Sequence, residues 1–185
     1  NLNTDEEYTE TYDILALSPG ASPILPQSIK GIDSDHVFSL RNVPDVRLID
    51  DYISTNNSKN ILVVGGGFIG LEVMENLQRS GKQVTLVEAA DQIMAPLDFD
   101  MVQTMNKEII DNGVTLILGD GVSEIREDHV LLSSGKEIEA DAVIMAIGVH
   151  PETILAKECG IEIGNTGGIK VNHNYQTNYP DIYAV

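Results

Sequence analysis

The chain has 185 residues, of which 42% are hydrophobic, and its formal net charge is −18 because 29 acidic residues outnumber 11 basic ones. This length and composition suit a globular fold with a proper core. The acidic balance argues against nucleic acid or an anionic membrane as a partner. No apolar run is long enough to span a bilayer. We therefore expect no nucleic-acid partner and no membrane partner.

Cysteine and histidine usage excludes further kinds of site. Cys159 is the only cysteine, so no disulfide framework, CxxC motif or cysteine metal site is expected. We predict no metal site, because the four histidines share neither a helix face nor a ligand spacing; they are His36, His129, His150 and His173. The polar, acidic start of the chain has neither a signal peptide pattern nor an initiating methionine. These features predict a cytoplasmic, reducing location and a processed chain or an excised piece.

Three elements are predicted in the first third of the chain. Tyr12–Leu17 reads as a strand and is stopped by a turn rich in proline and glycine. A loop then leads to a short apolar piece at Val37–Leu40, and Val43–Ile53 has the spacing of a helix. The expected buried face of that helix consists of Val46, Ile49 and Ile53. The polar break at 55–59 is the predicted boundary before the next unit.

Residues 60–88 have the order strand, glycine loop, helix, strand. Ile61–Val64 is a short apolar run typical of a strand buried on both faces. The glycine loop Gly65–Gly70 follows, and apolar residues then recur at three- and four-residue steps until Gly81 ends the predicted helix. The second strand is Val84–Val87. This is the opening of a βαβ unit, with each part in its expected place.

The glycine loop has the spacing of a dinucleotide-binding fingerprint. Gly65 permits the tight turn, Gly67 lets the backbone approach a pyrophosphate, and Gly70 lets the helix pack closely. The helix N-terminus offers unpaired N–H groups and a positive dipole end to the phosphates. Glu88 lies 18 positions after Gly70, close to the spacing at which an acid binds the ribose hydroxyls. A tight turn that merely needs glycines would leave Glu88 unexplained.

Further strands and one helix complete the predicted domain. A helix through about Asn112 is capped by Asp98 or Asp100, and its expected buried stripe is Met101, Met105 and Ile109. The remaining strand segments are Val114–Leu118, the antiparallel meander at 122–126, 129–132 and 136–139, and then Ala142–Ile147. Beyond Pro151, a short helix is predicted at Thr153–Cys159 and strands at Ile169–Val171 and Asp181–Val185. The predicted fold class is α/β, a Rossmann-like parallel sheet with an antiparallel meander.

Five segments carry a resemblance to one known family. They are Tyr12–Pro23, Phe38–Asn42, Gly65–Glu72, Ala140–Pro151 and Thr177–Val185. Together they resemble the FAD-dependent pyridine nucleotide-disulfide oxidoreductases, and in particular the branch of coenzyme A-disulfide reductases and NADH oxidases and peroxidases. The resemblance covers nearly the whole chain. It implies two cofactors, NADH and FAD.

The resemblance also implies a division of the chain. Residues 54–148 are expected to form the NAD(H)-binding domain, and 1–53 and 149–185 are expected to be partial FAD-domain segments. The family's FAD-binding glycine loop, its redox cysteine and its dimer domain have no counterpart in these residues, so we expect a fragment of a larger, homodimeric flavoprotein. The fragment itself is expected to be inactive, with no catalytic residue of its own.

The implied activity is that of an oxidoreductase. Hydride would pass from NADH to FAD and on to a disulfide, as in a disulfide reductase, or to oxygen or peroxide, as in an NADH oxidase. The substrate is then a small thiol or disulfide, or oxygen. An alternative from a different class is a non-catalytic NADH-sensing regulatory module.

The roles of several residues stay open. Phe68 is expected either to pack under the turn or, as the resemblance implies, to gate the nicotinamide pocket. Glu72 is expected either to lie near the nicotinamide, as the resemblance implies, or to be a solvated acid that complements the helix dipole. Cys159 is expected to be a packed, inert thiol. His150 lies in the turn that, by the resemblance, leads back to the flavin, and it is expected either to lie near that cofactor or to be a surface turn residue. The predicted cofactor-binding residues are Gly65, Gly66, Gly67, Phe68, Ile69, Gly70, Glu72, Glu88 and Gly148.

Overall fold

The computed structural model describes residues 4–185. In chain order its elements are β1 (Leu15–Leu17), β2 (Ala21–Pro23), β3 (Val37–Ser39), α1 (Val43–Thr55), β4 (Asn60–Val64), α2 (Phe68–Arg79), β5 (Gln83–Glu88), α3 (Phe99–Asp111), β6 (Thr115–Leu118), β7 (Val122–Ile125), β8 (His129–Leu132), β9 (Glu137–Glu139), β10 (Ala142–Met145), β11 (Val149–Pro151), α4 (Ile154–Glu158) and β12 (Ile182–Ala184). The mixture of helices and strands confirms the predicted α/β class.

The described residues form two compact units. The larger unit is Pro23–Val149, and the smaller unit joins the described residues up to Ser22 with His150–Val185. The predicted boundary near Ile53 therefore does not separate compact units, because β3 and α1 belong to the larger one. The assignment of the flanking segments to an FAD domain stays a prediction.

The larger unit is built on a five-stranded parallel sheet in the order β3-β10-β4-β5-β6. The central strands are buried on both faces, as their continuous apolar sequences predict. The meander β7-β8-β9 is antiparallel and packs on one face, where its apolar side chains share a core with Leu62, Val64 and Met145. The helices pack on the other face, against Val63 and Leu86 among others.

The helix boundaries agree with the predictions, but two predicted faces are only partly right. In α1, Ile49 and Ile53 are buried while Val46 is exposed. In α3, the buried residues are Val102 and Ile109, whereas Met101 is 61% exposed, so the predicted stripe is wrong at its first position. Successive helix residues point about 100° apart, and in α3 it is Val102 that faces the core in place of Met101.

The smaller unit holds β1 and β12 as a parallel pair. The predicted strand at Ile169–Val171 is wrong, since Ile169 makes only an isolated bridge with Ile163. The expectation of a packed thiol at Cys159 is also wrong, because this residue follows the five-residue helix α4 and is exposed. Among residues 4–185, no helix has both the length and the apolar composition needed to cross a bilayer.

Candidate functional site

A groove of about 600 Å³ opens in the larger unit at the carboxyl ends of β4, β5 and β10. Val64, Val87 and Met145, the last or nearly last residues of these strands, lie in its lining. From β4 the chain continues to β5 on one side, while β10 on the other side is reached only later. An open α/β sheet binds its ligand at such a switch in strand order.

Two glycines are required by the turn that leads from β4 into α2. Gly65 has a φ of +110°, and a Cβ placed on it would lie 2.3 Å from the carbonyl oxygen of Ala146. A Cβ on Gly70 would lie 1.9 Å from the carbonyl oxygen of Gly65. Both positions are therefore glycine because neighbouring backbone passes too close for any side chain.

Gly67 is different, because the protein's own packing does not require it to be glycine. Its φ is −83°, an ordinary value, and it is the N-cap residue of α2. A Cβ placed on it would have no described atom within 4 Å. The space it leaves open lies at the N-terminus of a 12-residue helix, where unpaired N–H groups and the dipole attract anions. The geometry fits a phosphate group that approaches the backbone.

Glu88 ends β5 beside this turn and is partly buried. Its Oε2 accepts a hydrogen bond from the Gly66 N–H at 2.6 Å, and its Oε1 accepts one from the Ala90 N–H at 2.8 Å. A carboxylate has about four acceptor positions, so capacity remains for hydroxyl donors. Glu88 thus ties the glycine turn to the end of β5 as well as presenting a charge to the groove.

The loop after β5 holds Gly66 from the other side. The Met94 N–H donates to the Gly66 carbonyl at 2.8 Å, and a Cβ on Gly66 would lie 2.6 Å from Cγ2 of the fully buried Ile93. Met94 has a φ of +48°, a left-handed conformation that is uncommon outside glycine and recurs at functional sites. The glycine turn is therefore fixed at both its N–H and its carbonyl.

The groove brings together seven of the nine predicted cofactor-binding residues: Gly65, Gly66, Gly67, Phe68, Ile69, Glu88 and Gly148. Gly70 lies outside the lining, where it packs against the turn. Glu72 is exposed on α2 and lines a separate groove between α2 and α3. Phe68 lines both grooves, so Glu72 shares a groove with Phe68 but not with the other predicted site residues.

Phe68, within the glycine turn, and Gly148, which comes after β10, both border the groove. The Phe68 ring is 71% exposed at the start of α2, so it is not packed under the turn. Gly148 follows β10 with a φ of +123°, and its carbonyl accepts a hydrogen bond from the Ile24 N–H at 3.0 Å.

Sequence reasoning missed several lining residues, among them Gln92, Met94 and Asp120. Gln92 and Met94 belong to a connection without regular structure, and only the fold shows that this connection turns back over the glycines. Asp120 follows β6. Its place after a parallel strand, at the same sheet edge as Glu88, was the sequence signal that could have identified it as a lining residue. No cluster of metal-binding side chains occurs within residues 4–185.

The chain belongs to the pyridine nucleotide-disulphide oxidoreductase family, whose model matches residues 1–185. Among curated relatives, the coenzyme A disulfide reductase of Staphylococcus aureus (strain JH9) is 36% identical over all 185 residues. The chain spans 41% of the length of that relative.

Solved structures agree with this assignment. The reduced Bacillus anthracis CoADR-RHD superposes with a TM-score of 0.95 at 46% identity, covering 100% of this chain and 34% of that one. The water-forming NADH oxidase from Lactobacillus brevis bound to NADH has a TM-score of 0.86 at 32% identity, covering 99% of this chain and 41% of that one. The predicted family and the predicted Rossmann-type fold are confirmed.

Proposed function

We propose that the groove binds NADH, with the pyrophosphate at the N-terminus of α2 and the adenosine ribose at Glu88. The observation that carries this proposal is the open space at Gly67. Its backbone conformation is ordinary and an added Cβ would touch no described atom. We infer that the absence of a side chain at Gly67 makes room for a ligand. The chain that forms the groove belongs to a family whose members depend on FAD and use pyridine nucleotides.

The roles of the lining residues follow from their positions. Gly66, Gly67 and Phe68 present the backbone at the start of α2 to the phosphates. Glu88 accepts hydrogen bonds from the ribose hydroxyls and disfavours a 2′-phosphate, since like charges repel. Ile69 and Gly148 border the groove near the carboxyl ends of β4 and β10, and Phe68, whose ring is exposed, gates the nicotinamide.

The intact protein is, on this proposal, an FAD-dependent oxidoreductase of the disulfide reductase or NADH oxidase kind. Bound FAD would supply the redox chemistry between NADH and a disulfide, oxygen or peroxide. The contribution of the larger unit is to hold and orient the nicotinamide dinucleotide. A purely regulatory NADH-sensing module has no observation in its favour, because the relatives described above are named as a reductase and an oxidase.

A location in the cytoplasm and a homodimeric intact protein are part of the same proposal. Both are supported by the family resemblance and not by a contact in the structure. Light scattering on the intact protein would test the dimer.

The test of the NADH site is isothermal titration calorimetry on the 185-residue chain with NADH and NADPH. We expect NADH to bind more tightly, and Glu88→Gln to weaken NADH binding by about tenfold, roughly 1.4 kcal/mol. The Gln amide group would face the N–H of Gly66 or Ala90, so one of these hydrogen bonds is lost as well as the charge. Glu75→Gln is the control, since Glu75 lies on α2 in a surface ion pair with Arg79. Tighter NADPH binding by the parent chain would contradict the proposal.

A further inference from the structure

The groove lining carries negative charge from two places. Glu88 ends β5, and Asp120 lies two residues after the end of β6. Among the described residues that line the groove, none is lysine or arginine. Any anionic group near the β5 and β6 ends therefore meets carboxylates without a basic side chain in the lining to offset them.

Asp120 is held in place by neutral donors. Its Oδ2 accepts a hydrogen bond from the Ser134 hydroxyl at 2.5 Å, and its Oδ1 accepts from the Ser134 N–H at 3.1 Å and the Gly121 N–H at 3.0 Å. These bonds, with the Ser134 hydroxyl as the largest contribution, hold the pKa of Asp120 below its ordinary value. The carboxylate is thus ionised at neutral pH, and the groups shown to donate to it bring no positive charge.

The backbone around Asp120 is joined directly to the end of β5. The Asp120 N–H donates to the Glu88 carbonyl at 3.2 Å, and the Gly119 N–H donates to the Ala90 carbonyl at 2.9 Å. Residues 119–120 therefore lie beside residues 88–90, at the carboxyl edge of the sheet. A dinucleotide ribose at Glu88 would place its 2′-substituent beside the Glu88 carboxylate, and therefore at the same strand end as residues 119–120.

We propose that Asp120 is a second specificity-determining residue, which acts with Glu88 to disfavour a dinucleotide that carries a 2′-phosphate. This inference rests on the proposed NADH site and adds a residue to its selectivity. The two carboxylates lie on neighbouring chain segments, so removal of Glu88 alone leaves one negative charge facing the 2′-position. Charge repulsion across a partly hydrated groove is modest and depends on salt.

The experiment measures dissociation constants of NADH and NADPH for the 185-residue chain and compares their ratio among variants. The ratio isolates the 2′-phosphate, because both dinucleotides carry the same pyrophosphate. We expect Asp120→Asn to shift the ratio about fivefold toward NADPH at low salt, and the shift to shrink at 1 M NaCl, where the Debye length is about 3 Å. Asp120→Glu retains the charge and should keep the ratio of the parent chain.

Two controls separate charge from geometry. Ser134→Ala removes the hydroxyl donor, but the backbone N–H groups of Ser134 and Gly121 still hold Oδ1 and the charge of Asp120 remains, so the ratio should stay near that of the parent chain. Asp111→Asn makes the same charge change on α3, where Asp111 pairs with Lys107, and should leave the ratio unchanged.

The outcomes are distinguishable. An unchanged ratio in Asp120→Asn, or an equal shift in Ser134→Ala, would overturn the role of Asp120 while leaving the NADH site intact. A parent chain that binds neither dinucleotide would overturn the site and this inference together.

Discussion

Gly67 and Gly65 lie two residues apart in one turn, and the structure predicts opposite consequences for their substitution. Gly67→Val places a side chain in open space at a φ of −83°. Gly65→Ala places a smaller side chain at a φ of +110° and 2.3 Å from the Ala146 carbonyl oxygen. We expect the first variant to lose NADH binding and keep its fold, and the second to lose stability.

The magnitudes follow from these positions. At Gly67 the fold loses only a favoured N-cap residue, about 0.5–1 kcal/mol. At Gly65 a left-handed backbone conformation costs about 1–3 kcal/mol for a residue other than glycine, and forced overpacking costs about 1–3 kcal/mol more. For a domain of this size each kcal/mol lowers Tm by about 2–4 °C. At this ratio we expect Tm to fall by about 4 °C or less for Gly67→Val and by about 4–24 °C for Gly65→Ala.

The assay pairs thermal unfolding, followed by circular dichroism, with NADH titration calorimetry on the same preparations. Gly67→Val should weaken NADH binding by at least about 100-fold, or roughly 2.7 kcal/mol, because its methyl groups occupy the path of the pyrophosphate. A Gly67→Val variant that binds NADH as the parent chain does would refute the placement of the phosphates. A Gly65→Ala variant with the parent Tm would refute the account of the turn.

Two further predictions concern Phe68 and the meander. If the intact protein is the flavoprotein proposed above, Phe68→Ala should change the stopped-flow rate of flavin reduction by NADH, and an unchanged rate would leave the exposed ring without a gating role. In the meander, hydrogen bonds from Arg126, the larger cause, and from Lys30 lower the pKa of Glu124 to about 2. The contribution of Glu124 to stability is therefore present above about pH 4.5 and is lost as the pH falls toward 2. The free energy of unfolding should decrease less steeply between about pH 4.5 and pH 2 in Glu124→Gln than in the control Glu127→Gln. Equal slopes in the two variants would contradict this.

Much of the parallel sheet could be predicted from the sequence because each strand is a local apolar run. The strand Ile61–Val64, the glycine turn and the strand ending at Glu88 were identified within about one residue of their observed bounds. The first position of the predicted α3 stripe, Met101, shows the limit of this reasoning. Met101 and Val102 are both apolar neighbours, and only packing against the sheet decides which of them is buried.

The candidate site was predictable where the signal is local and not where it depends on distant chain segments. The glycine loop and Glu88 have a recognised spacing. The hydrogen bond from Met94 to Gly66 and the approach of Asp120 to Glu88 join residues whose neighbourhood exists only in the folded chain. The second role of Glu88, as a tie to the Gly66 N–H, was likewise invisible, because spacing reveals a ligand contact but not an internal one.

The place of β10 in the sheet has a consequence for the order of folding. β10 lies between β3 and β4 and pairs with both, with Val143 opposite Val37 and Leu62. The edge strand β3 can therefore join the sheet only after a strand that follows it by about a hundred residues in the chain has arrived. Such long-range pairing slows folding, because the entropy of loop closure is lost before the stabilising contacts form. During synthesis, β4 and β5 can pair early, whereas β3 can pair only after β10 has left the ribosome.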